Sequence, residues 1–397
     1  MQFQTESVWW ATLNAAERQE LGHFHSQTPY AQPDVLIIGG GIVGLAVGYF
    51  AAEKGWKVQV ITAASRLAED AEASLGSIFP NAVRWRLSPL AQQLAQNSRD
   101  WWARLAVRPD FQVDWRVSGA VLVEEQHLLP NPRTKMLEML EDGYSVRDVD
   151  AEQIAILEPQ LKPLSMGGLH FPSEAMLHPL KAAVGFVRGI RRLNGRIATN
   201  CPIQQIQRQN DQLTIADTAA GRIEPKLVVV DQFDELPNPL PETGSVPEEI
   251  ESLQRRVFLA TAPTSSILNR PVLCQEWLLQ LKSGEVVAEA CSDCLVKNPP
   301  EVDLVAAAQS ACELLPALSA VPFIRTWSAT SPQQANHVPN IDLLEGFSNA
   351  WCYRNLSNCE VLLAPMIGRL LTQWMGSEQR PEELTPFTRS DTPKNAD

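Results

Sequence analysis

The chain has 397 residues, of which 33 are Lys or Arg and 46 are Asp or Glu, so its formal net charge is −13. This length suits two domains or one large composite domain, and 45% hydrophobic residues are ordinary for a folded globular chain. The acidic balance, with no dense Lys/Arg cluster, argues against nucleic acid as a partner. Seven irregularly spaced cysteines favour a reducing compartment, and the N-terminus has no apolar signal region, so we expect a cytoplasmic protein.

The uncharged stretch from Val35 to Ala52 is just long enough to be tested as a membrane span, but its glycines indicate a different structure. Val35 to Ile38 is wholly apolar, which is typical of a strand buried in a parallel sheet. Glycines follow at once, then a helical pattern from Ile42 to Lys54 and a second strand from Trp56 to Ile61. Strand, glycine turn, helix and strand predict a βαβ unit and no integral membrane span.

The pattern before and after this unit predicts an N-terminal extension over residues 1–33 and an alternation of helices and strands beyond it. Helices are predicted over 88–106, 150–157, 179–193, 302–314 and 361–375. Strands are predicted over 203–208, 212–217, 227–231 and 257–262, with an edge strand over 166–171 and hairpins over 113–125 and 273–290. The proline-rich, acidic segment 234–252 predicts an exposed loop.

The strongest chemical signal is Gly39-x-Gly41-x-x-Gly44, placed between the first strand and the helix. The first glycine makes the tight turn, the second leaves room for a pyrophosphate, and the third lets helix and strand pack closely. The helix N-terminus offers free N–H groups and the positive end of the helix dipole to phosphates. The motif therefore predicts a central strand and a helix whose N-terminus faces an open nucleotide cavity. The predicted cofactor-binding residues here are Gly39, Gly40, Gly41, Ile42, Val43 and Gly44.

The acidic residue that should end the second strand and bind a ribose hydroxyl is missing. Thr62 stands at that place, and a threonine cannot make the charge-assisted hydrogen bonds of a carboxylate. Two interpretations stay open. Arg66 with Ser65 could accept a ribose 2′-phosphate, which would indicate an NADP-binding reductase, or the site binds its nucleotide weakly.

The βαβ unit and several later segments resemble the FAD-dependent amino-acid and amine oxidoreductases, a family that includes D-amino-acid oxidase, glycine oxidase, sarcosine oxidase and the subunits of hydrogen cyanide synthase. The resemblance spans most of residues 34–375 and implies an α/β fold, with a composite FAD-binding Rossmann-like domain and a smaller mixed-sheet substrate domain. The later segments that carry it are Ala73–Ser77, Phe171–Pro179, Val257–Ala262, Arg325–Pro332 and Asn349–Gly368.

The resemblance also implies the domain limits, FAD as the cofactor, and a small amino acid or amine as the substrate, oxidised at its CH–NH group. Residues 34–110, 150–262 and 330–380 would form the FAD-binding domain, 111–149 and 263–329 the substrate or cap domain, and 381–397 a polar tail.

The resemblance implies one substrate-binding arginine, Arg325, and the position of Arg354 in the sequence suggests a second anion contact. The planar guanidinium of Arg325 would bind the substrate carboxylate, and Arg354, directly before the last turn, would be a second anion contact. The further predicted cofactor contacts are Thr62, Arg66, Ser74, Ser77, Ala262, Asn355 and Val361.

Four cofactor positions depart from the family pattern: Thr62, Ala262, Asn355 and Glu360. The last three stand where glycines are usual, so their side chains restrict the approach to a flavin, and Glu360 would oppose the negative charge of a reduced one. The departures predict weak FAD retention that Thr62→Glu would improve. They also support an alternative: a non-catalytic homologue, either a partner subunit or a binding protein, that kept the fold and binds flavin weakly or not at all.

The other chemically active side chains give weaker signals. Cys291 and Cys294 have the spacing of a zinc or redox pair, but no second pair accompanies them, so two ordinary thiols and no metal are expected. Structural roles are expected for His170 and His178, and a solvated position for His337.

Overall fold

The computed structural model describes residues 5–22, 28–82, 89–123, 145–237, 252–274, 277–291, 304–333, 339–356 and 358–387. Its helices are α1 (Val8–Ala11), α2 (Ala15–Leu21), α3 (Ile42–Glu53), α4 (Pro89–Leu105), α5 (Ala151–Leu157), α6 (Pro179–Arg192), α7 (Leu304–Leu314) and α8 (Glu360–Ser377). Its first strands are β1 (Val35–Ile38), β2 (Val58–Ile61), β3 (Ser77–Ile78), β4 (Arg116–Val117), β5 (Ala120–Val123), β6 (Arg147–Val149), β7 (Gly168–Phe171), β8 (Ala175–Met176), β9 (Arg196–Ala198) and β10 (Ile203–Gln209). The others are β11 (Gln212–Thr218), β12 (Gly221–Ile223), β13 (Leu227–Val230), β14 (Ser252–Thr261), β15 (Val272–Leu273), β16 (Trp277–Gln280), β17 (Val286–Cys291), β18 (Phe323–Gln333), β19 (Asn340–Leu343) and β20 (Ala350–Arg354).

The glycine fingerprint begins at the centre of a six-stranded sheet with the order β19-β20-β13-β1-β2-β9. Only β19 is antiparallel to its neighbour. All four residues of β1 are buried, and they alternate between two cores: Val35 and Ile37 face the helices, while Leu36 and Ile38 face the small sheet of β10, β11 and β12. The predicted βαβ unit and the central position of its first strand are confirmed.

Helix α3 packs against α8 so closely that glycine is required at the crossing. A Cβ atom on Gly368 would lie 2.8 Å from the carbonyl carbon of Ala46 and 3.0 Å from its Cβ. On another face of α3, a Cβ on Gly189 of α6 would lie 2.4 Å from the ring of Tyr49. Glycines in α8 and α6 thus allow both helices to pack closely against α3.

A second sheet of eight strands has the order β18-β14-β17-β16-β15-β5-β7-β6. Helix α7 covers its apolar face through Ala307, Ala311 and Leu314. The predicted α/β fold with an additional mixed sheet is confirmed. The strand predicted over 257–262 is β14, which belongs to this eight-stranded sheet, and the division of the chain into domains stays a prediction.

Two predictions in this region are wrong. Residues 113–125 do not form a hairpin, because β4 pairs with β8 whereas β5 pairs with β7 and β15. Gly119, with φ of +69°, turns the chain away between them. The strand over 166–171 is not at an edge, since β6 extends the sheet beyond β7.

The N-terminal extension is an integral part of the fold. Trp9 is only 1% exposed, and its ring lies 5.2 Å from that of His178 in an edge-on contact. Asn14 and Glu17 form a capping box at the start of α2, which stabilises that short helix. None of the described helices is long and apolar enough to cross a membrane.

The substitution Gly368→Ala tests the crossing of α3 and α8. The added methyl group would press on the backbone of Ala46, so we expect the free energy of unfolding to fall by about 1–3 kcal/mol, measured by urea denaturation. Gly376→Ala is the matched control, since Gly376 lies in the same helix and faces only side-chain atoms at 3.2 Å or more. Equal effects of both substitutions would contradict the packing argument.

Candidate functional site

The amides at the start of α3 are occupied by a carboxylate of the chain itself. Asp231, the residue directly after β13, accepts hydrogen bonds from the N–H of Gly41 at 2.6 Å and of Gly44 at 3.0 Å. Because β13 and β1 are parallel neighbours, their carboxyl ends meet at one edge of the sheet. The prediction of an open cavity at this helix N-terminus is therefore wrong, because a side chain fills the place that a phosphate would take.

The three glycines of the fingerprint make room for Asp231. A Cβ atom on Gly39, Gly41 or Gly44 would lie 2.7–2.8 Å from the nearest Asp231 side-chain atom, closer than a non-bonded contact allows. The spacing that lets a pyrophosphate approach the backbone thus lets a carboxylate approach it here.

A second carboxylate reaches the same turn from the segment after β2. Asp70 accepts from the N–H of Ile42, at 3.2 and 3.1 Å to its two oxygens. Ala68 adopts a left-handed conformation with φ of +57° and donates its N–H to the carbonyl of Gly40 at 2.7 Å. This hydrogen bond folds the segment back over the glycine turn.

The turn that carries Asp70, residues Glu69–Ala73, is held by the eight-stranded sheet. Trp327 of β18 donates its indole N–H to the carbonyl of Glu72 at 3.0 Å. Arg256 of β14 donates to the carbonyl of Ala73 at 2.7 Å. Because these groups come from β-strands, the turn has little freedom to move away from α3.

The pKa values of the two carboxyls reflect their crowding. Burial and the neighbouring charge of Asp70 raise the pKa of Asp231 well above its ordinary value, although the N–H groups of Gly41 and Gly44 oppose this rise. Burial also raises the pKa of Asp70, against the hydrogen bond from Ile42. Burial and the mutual repulsion of the two acids thus oppose the stabilisation that the helix N–H groups give to the carboxylates.

The acid missing from the end of β2 comes from another part of the chain. Glu235 accepts hydrogen bonds from the Thr62 hydroxyl and, at 3.0 Å, from the N–H of Ala63. Thr62→Glu would place a second carboxylate beside Glu235. The structure therefore gives no support to the prediction that this substitution improves FAD retention.

Arg66, predicted to bind a ribose phosphate, is engaged within the chain. Its guanidinium pairs with Glu69 at 3.3 Å and Glu72 at 3.1 Å, and it lies 4.6 Å from the ring centre of Trp10. This geometry gives no support to the NADP interpretation.

The other predicted cofactor residues lie in three places. Ser74, which caps the N–H of Gly76 at 3.0 Å, and Ser77 in β3 follow the acidic turn directly. Asn355 has φ of +57°, so it keeps the left-handed backbone for which glycine is usual, and Val361 is buried in α8. Ala262 lies just after β14, where its N–H donates to Pro322 at 2.9 Å. No contact places Ala262 at the glycine turn within the described part of the chain.

Glu360, at the start of α8, belongs to the same acidic region. Burial, with a further contribution from the charge of Asp70, raises its pKa to about 7, and Arg256 partly opposes this rise. Arg256 is itself paired with the buried Glu289. The site thus gathers Asp70, Asp231, Glu235 and Glu360 around a helix end that attracts anions.

The two predicted substrate arginines contact Glu6 and Phe233, which lie outside the glycine turn. The Arg325 side chain is 19% exposed, and its nearest ion pair is with Glu6 of the extension at 3.9 Å. Arg354 stacks on the ring of Phe233, 3.9 Å from its centre. Their roles in substrate binding stay predictions.

The cysteines and histidines singled out from the sequence lie only partly within the described residues. Among the described residues, no group of three or more His, Cys, Asp or Glu side chains could hold a metal ion. Cys294 and His337 lie outside those residues. His170 lies in β7, and His178 caps the N-terminus of α6.

Comparison with known proteins identifies the family to which this chain belongs. The sequence pattern described as "FAD dependent oxidoreductase" matches residues 34–374. The chain belongs to this FAD-dependent oxidoreductase family. The predicted family is confirmed, and FAD is confirmed as the family's cofactor.

Relatives of this member of the FAD-dependent oxidoreductase family include enzymes and a regulatory subunit. Glycine oxidase of Pseudomonas putida is 22% identical over 378 residues, covering 89% of this chain and 97% of that protein. The mitochondrial pyruvate dehydrogenase phosphatase regulatory subunit of Mus musculus is 24% identical over 227 residues, or 56% of this chain; the match spans only 26% of that longer protein.

Solved structures share the fold. L-amino acid deaminase of Proteus myxofaciens superposes with a TM-score of 0.76 over 99% of both chains at 13% identity. Glycine oxidase of Geobacillus kaustophilus superposes with a TM-score of 0.74, covering 90% of this chain and 98% of that one at 14% identity. At these identities the likeness establishes the fold alone.

The residues at the glycine turn do not fit FAD as they are arranged here. The pyrophosphate would need the N–H groups that Asp231 and Asp70 already occupy. Two like charges 4 Å apart repel by about 4 kcal/mol at an effective dielectric constant of about 20, so the phosphates and the carboxylates cannot share this helix end. FAD would have to displace both side chains.

The acidic region predicts an unusual pH dependence of stability. The pKa of Glu360 is about 7 in the folded chain against an ordinary 4.5, so the folded chain holds this proton more tightly. Its contribution to stability is present below about pH 4.5 and is lost as the pH rises towards 7. Relative to the wild type, Glu360→Gln should therefore gain up to about 3 kcal/mol of unfolding free energy between about pH 4.5 and about pH 8.

Urea denaturation at the two pH values measures this difference. Glu382→Gln is the control, because Glu382 is exposed and should show the same difference from the wild type at both pH values. A difference for Glu360→Gln that does not change with pH would contradict the assignment.

Proposed function

We propose that the chain is an FAD-dependent oxidoreductase that acts on the CH–NH group of a small amino acid or amine. The observation that carries this proposal is the unit of β1, Gly39-x-Gly41-x-x-Gly44 and α3, kept at the centre of the six-stranded sheet. Similarity to glycine oxidase over 89% of this chain supports the substrate class.

Arg325 is the proposed substrate-binding residue. It lies two positions before Trp327 in β18, so the two side chains share one face of the sheet. Trp327 contacts the turn that carries Asp70, and Arg325 therefore faces the same side as the cofactor region. Its planar guanidinium can bind both oxygens of a carboxylate.

Arg325→Lys tests this role. A lysine keeps the positive charge but loses the two-pronged geometry, so we expect KM for a carboxylate-bearing substrate to rise at least about tenfold, with little change in Tm. Steady-state kinetics and thermal unfolding measure the two effects. Arg222→Lys is the control, since Arg222 pairs with Asp217 far along the chain in the β11–β12 region. A lower Tm with unchanged KM would indicate a structural ion pair instead.

A second candidate function is favoured by the occupied glycine turn. In this alternative the chain is a non-catalytic member of the family, a partner subunit that uses Asp231 and Asp70 in place of the cofactor phosphates. One relative bears the name of a regulatory subunit, which is consistent with this alternative. A partner subunit and a cytoplasmic location stay predictions under both candidates.

Flavin titration distinguishes the two candidates. If the chain is an oxidoreductase, the wild type should bind one FAD and reduce a dye when supplied with a series of amino acids and amines. If it is a non-catalytic member, the wild type should bind no FAD at micromolar concentrations.

Removing the carboxylate charges tests whether they oppose the phosphates. The double variant Asp70→Asn/Asp231→Asn keeps the side-chain shapes, and we expect it to bind FAD at least about tenfold more tightly than the wild type. Asp211→Asn, at an exposed position, is the matched control. Unchanged FAD affinity in the double variant would show that these carboxylates do not compete with the cofactor.

A further inference from the structure

A cavity of about 280 Å³ lies away from the glycine turn, where the N-terminal extension meets the start of α6 and the β16–β17 hairpin. None of the residues that line it belongs to the glycine fingerprint or to the acidic turn. The residues that matter for its chemistry are Trp9, Asp114, Arg116, Lys181 and Lys282, and its apolar wall includes Met176 and Leu281.

Arg116 brings a positive charge to this cavity without a matching acid. Its guanidinium donates to the carbonyl of Gln280 and contacts the sulfur of Met176. Among the described residues no carboxylate forms an ion pair with it, and burial lowers its pKa with no acidic neighbour opposing the shift. A half-buried guanidinium without a carboxylate partner is stabilised by an anion that enters the cavity.

Trp9 adds an aromatic ring to the wall of this cavity. The residue is 1% exposed, and its indole N–H lacks a hydrogen-bond partner within the described part of the chain. A buried N–H group without an acceptor costs about 1–3 kcal/mol.

His178 connects the extension to the start of α6 in the cavity wall, and its ring is neutral. Burial lowers its pKa to about 3. Its Nδ1 accepts from the N–H of Lys181 at 3.2 Å, so its proton lies on Nε2, which donates to Thr12 at 3.0 Å. Thr12 in turn donates to the carbonyl of Val8 at 2.7 Å. This chain of hydrogen bonds holds the extension against α6.

The charges around the cavity do not cancel. Lys181 and Lys282 both lie near Asp114, at 2.7 and 3.6 Å, so one carboxylate contacts two ammonium groups, and Arg116 adds a third positive charge to the lining. The lining therefore carries an excess of two positive charges in a chain whose net charge is −13. Such a local excess attracts anions.

We propose that this cavity binds a small organic anion, a carboxylate on an apolar body. The three cationic side chains, Arg116, Lys181 and Lys282, can only donate hydrogen bonds, which suits a ligand end that only accepts them. The apolar wall formed with Met176 and Leu281 suits the rest of such a molecule. The volume of about 280 Å³ lies just below the range of about 300–1,000 Å³ for drug-sized ligands, which suits a small molecule.

Calorimetric titration of the full chain with phenylacetate tests the proposal. We expect the wild type to bind phenylacetate, and the uncharged, similarly shaped phenylacetamide to bind at least about tenfold more weakly. Inorganic phosphate, which has the charge but no apolar body, should also bind more weakly. Equal binding of phenylacetamide, or tighter binding of phosphate, would overturn the proposed ligand class.

Variants locate the binding to this cavity. Arg116→Met should weaken phenylacetate binding at least about tenfold, whereas Arg99→Met, at a partly exposed arginine of α4 paired with Asp100, should leave it unchanged. Lys282→Met changes a side chain that is 79% exposed, so it should fold normally and still weaken binding severalfold. Loss of binding in Arg325→Lys with full binding in Arg116→Met and Lys282→Met would place the anion elsewhere and overturn the proposal.

Discussion

The hydrogen bonds between Asp231 and the start of α3 are the constraint on which this arrangement depends. An α-helix begins with N–H groups that have no partner inside the helix. The residue before α3 is Gly41, which has no side chain to cap them. Asp231 and Asp70 supply the missing acceptors, so this helix end needs no ligand. A feature that commonly creates an anion site is here satisfied internally.

The position of Asp70 at the start of α3 depends on contacts with other parts of the molecule. Asp70 lies on a turn fixed by Trp327 and Arg256 of the eight-stranded sheet, and the extension adds a hydrogen bond from Ser7 to Glu72. Moving Asp70 aside would disturb these contacts together. The affinity of the site for a dinucleotide is therefore set by the second sheet and the extension as well as by the glycine turn.

Much of the fold could be predicted from the sequence, because apolar runs and glycine spacing are local signals. The βαβ unit from Val35 to Ile61 and the helix over 179–193 follow from such patterns. The failed hairpin over 113–125 had strand-like residues, but its pairing depends on β7 and β8, about fifty residues later. Pairing between distant segments leaves no local pattern.

The occupied site was missed for a related reason, although a signal existed. Asp231 directly follows the apolar run Leu227–Val230, and a residue at the end of a parallel strand next to β1 must lie near the glycine turn. Recognising this requires knowing that β13 is the neighbour of β1. The absence of an acid at Thr62 could be seen, but its replacement by Glu235 depends on the same strand order.

The acidic turn that carries Asp70 and the cationic cavity that contains Arg116 lie on either side of the short helix α1. Helix α1 lies between them: Ser7 at its start contacts Glu72 of the acidic turn, while Trp9 lines the cationic cavity. Opposite potentials on the two sides of α1 favour different ligands, since an anion that is repelled by Asp70 and Glu72 is attracted by Arg116 and the lysines. The extension, which lies outside the matched family region, contributes Trp9 and Thr12 to the wall of this cavity, whereas the charged side chains of the cavity come from the family region itself.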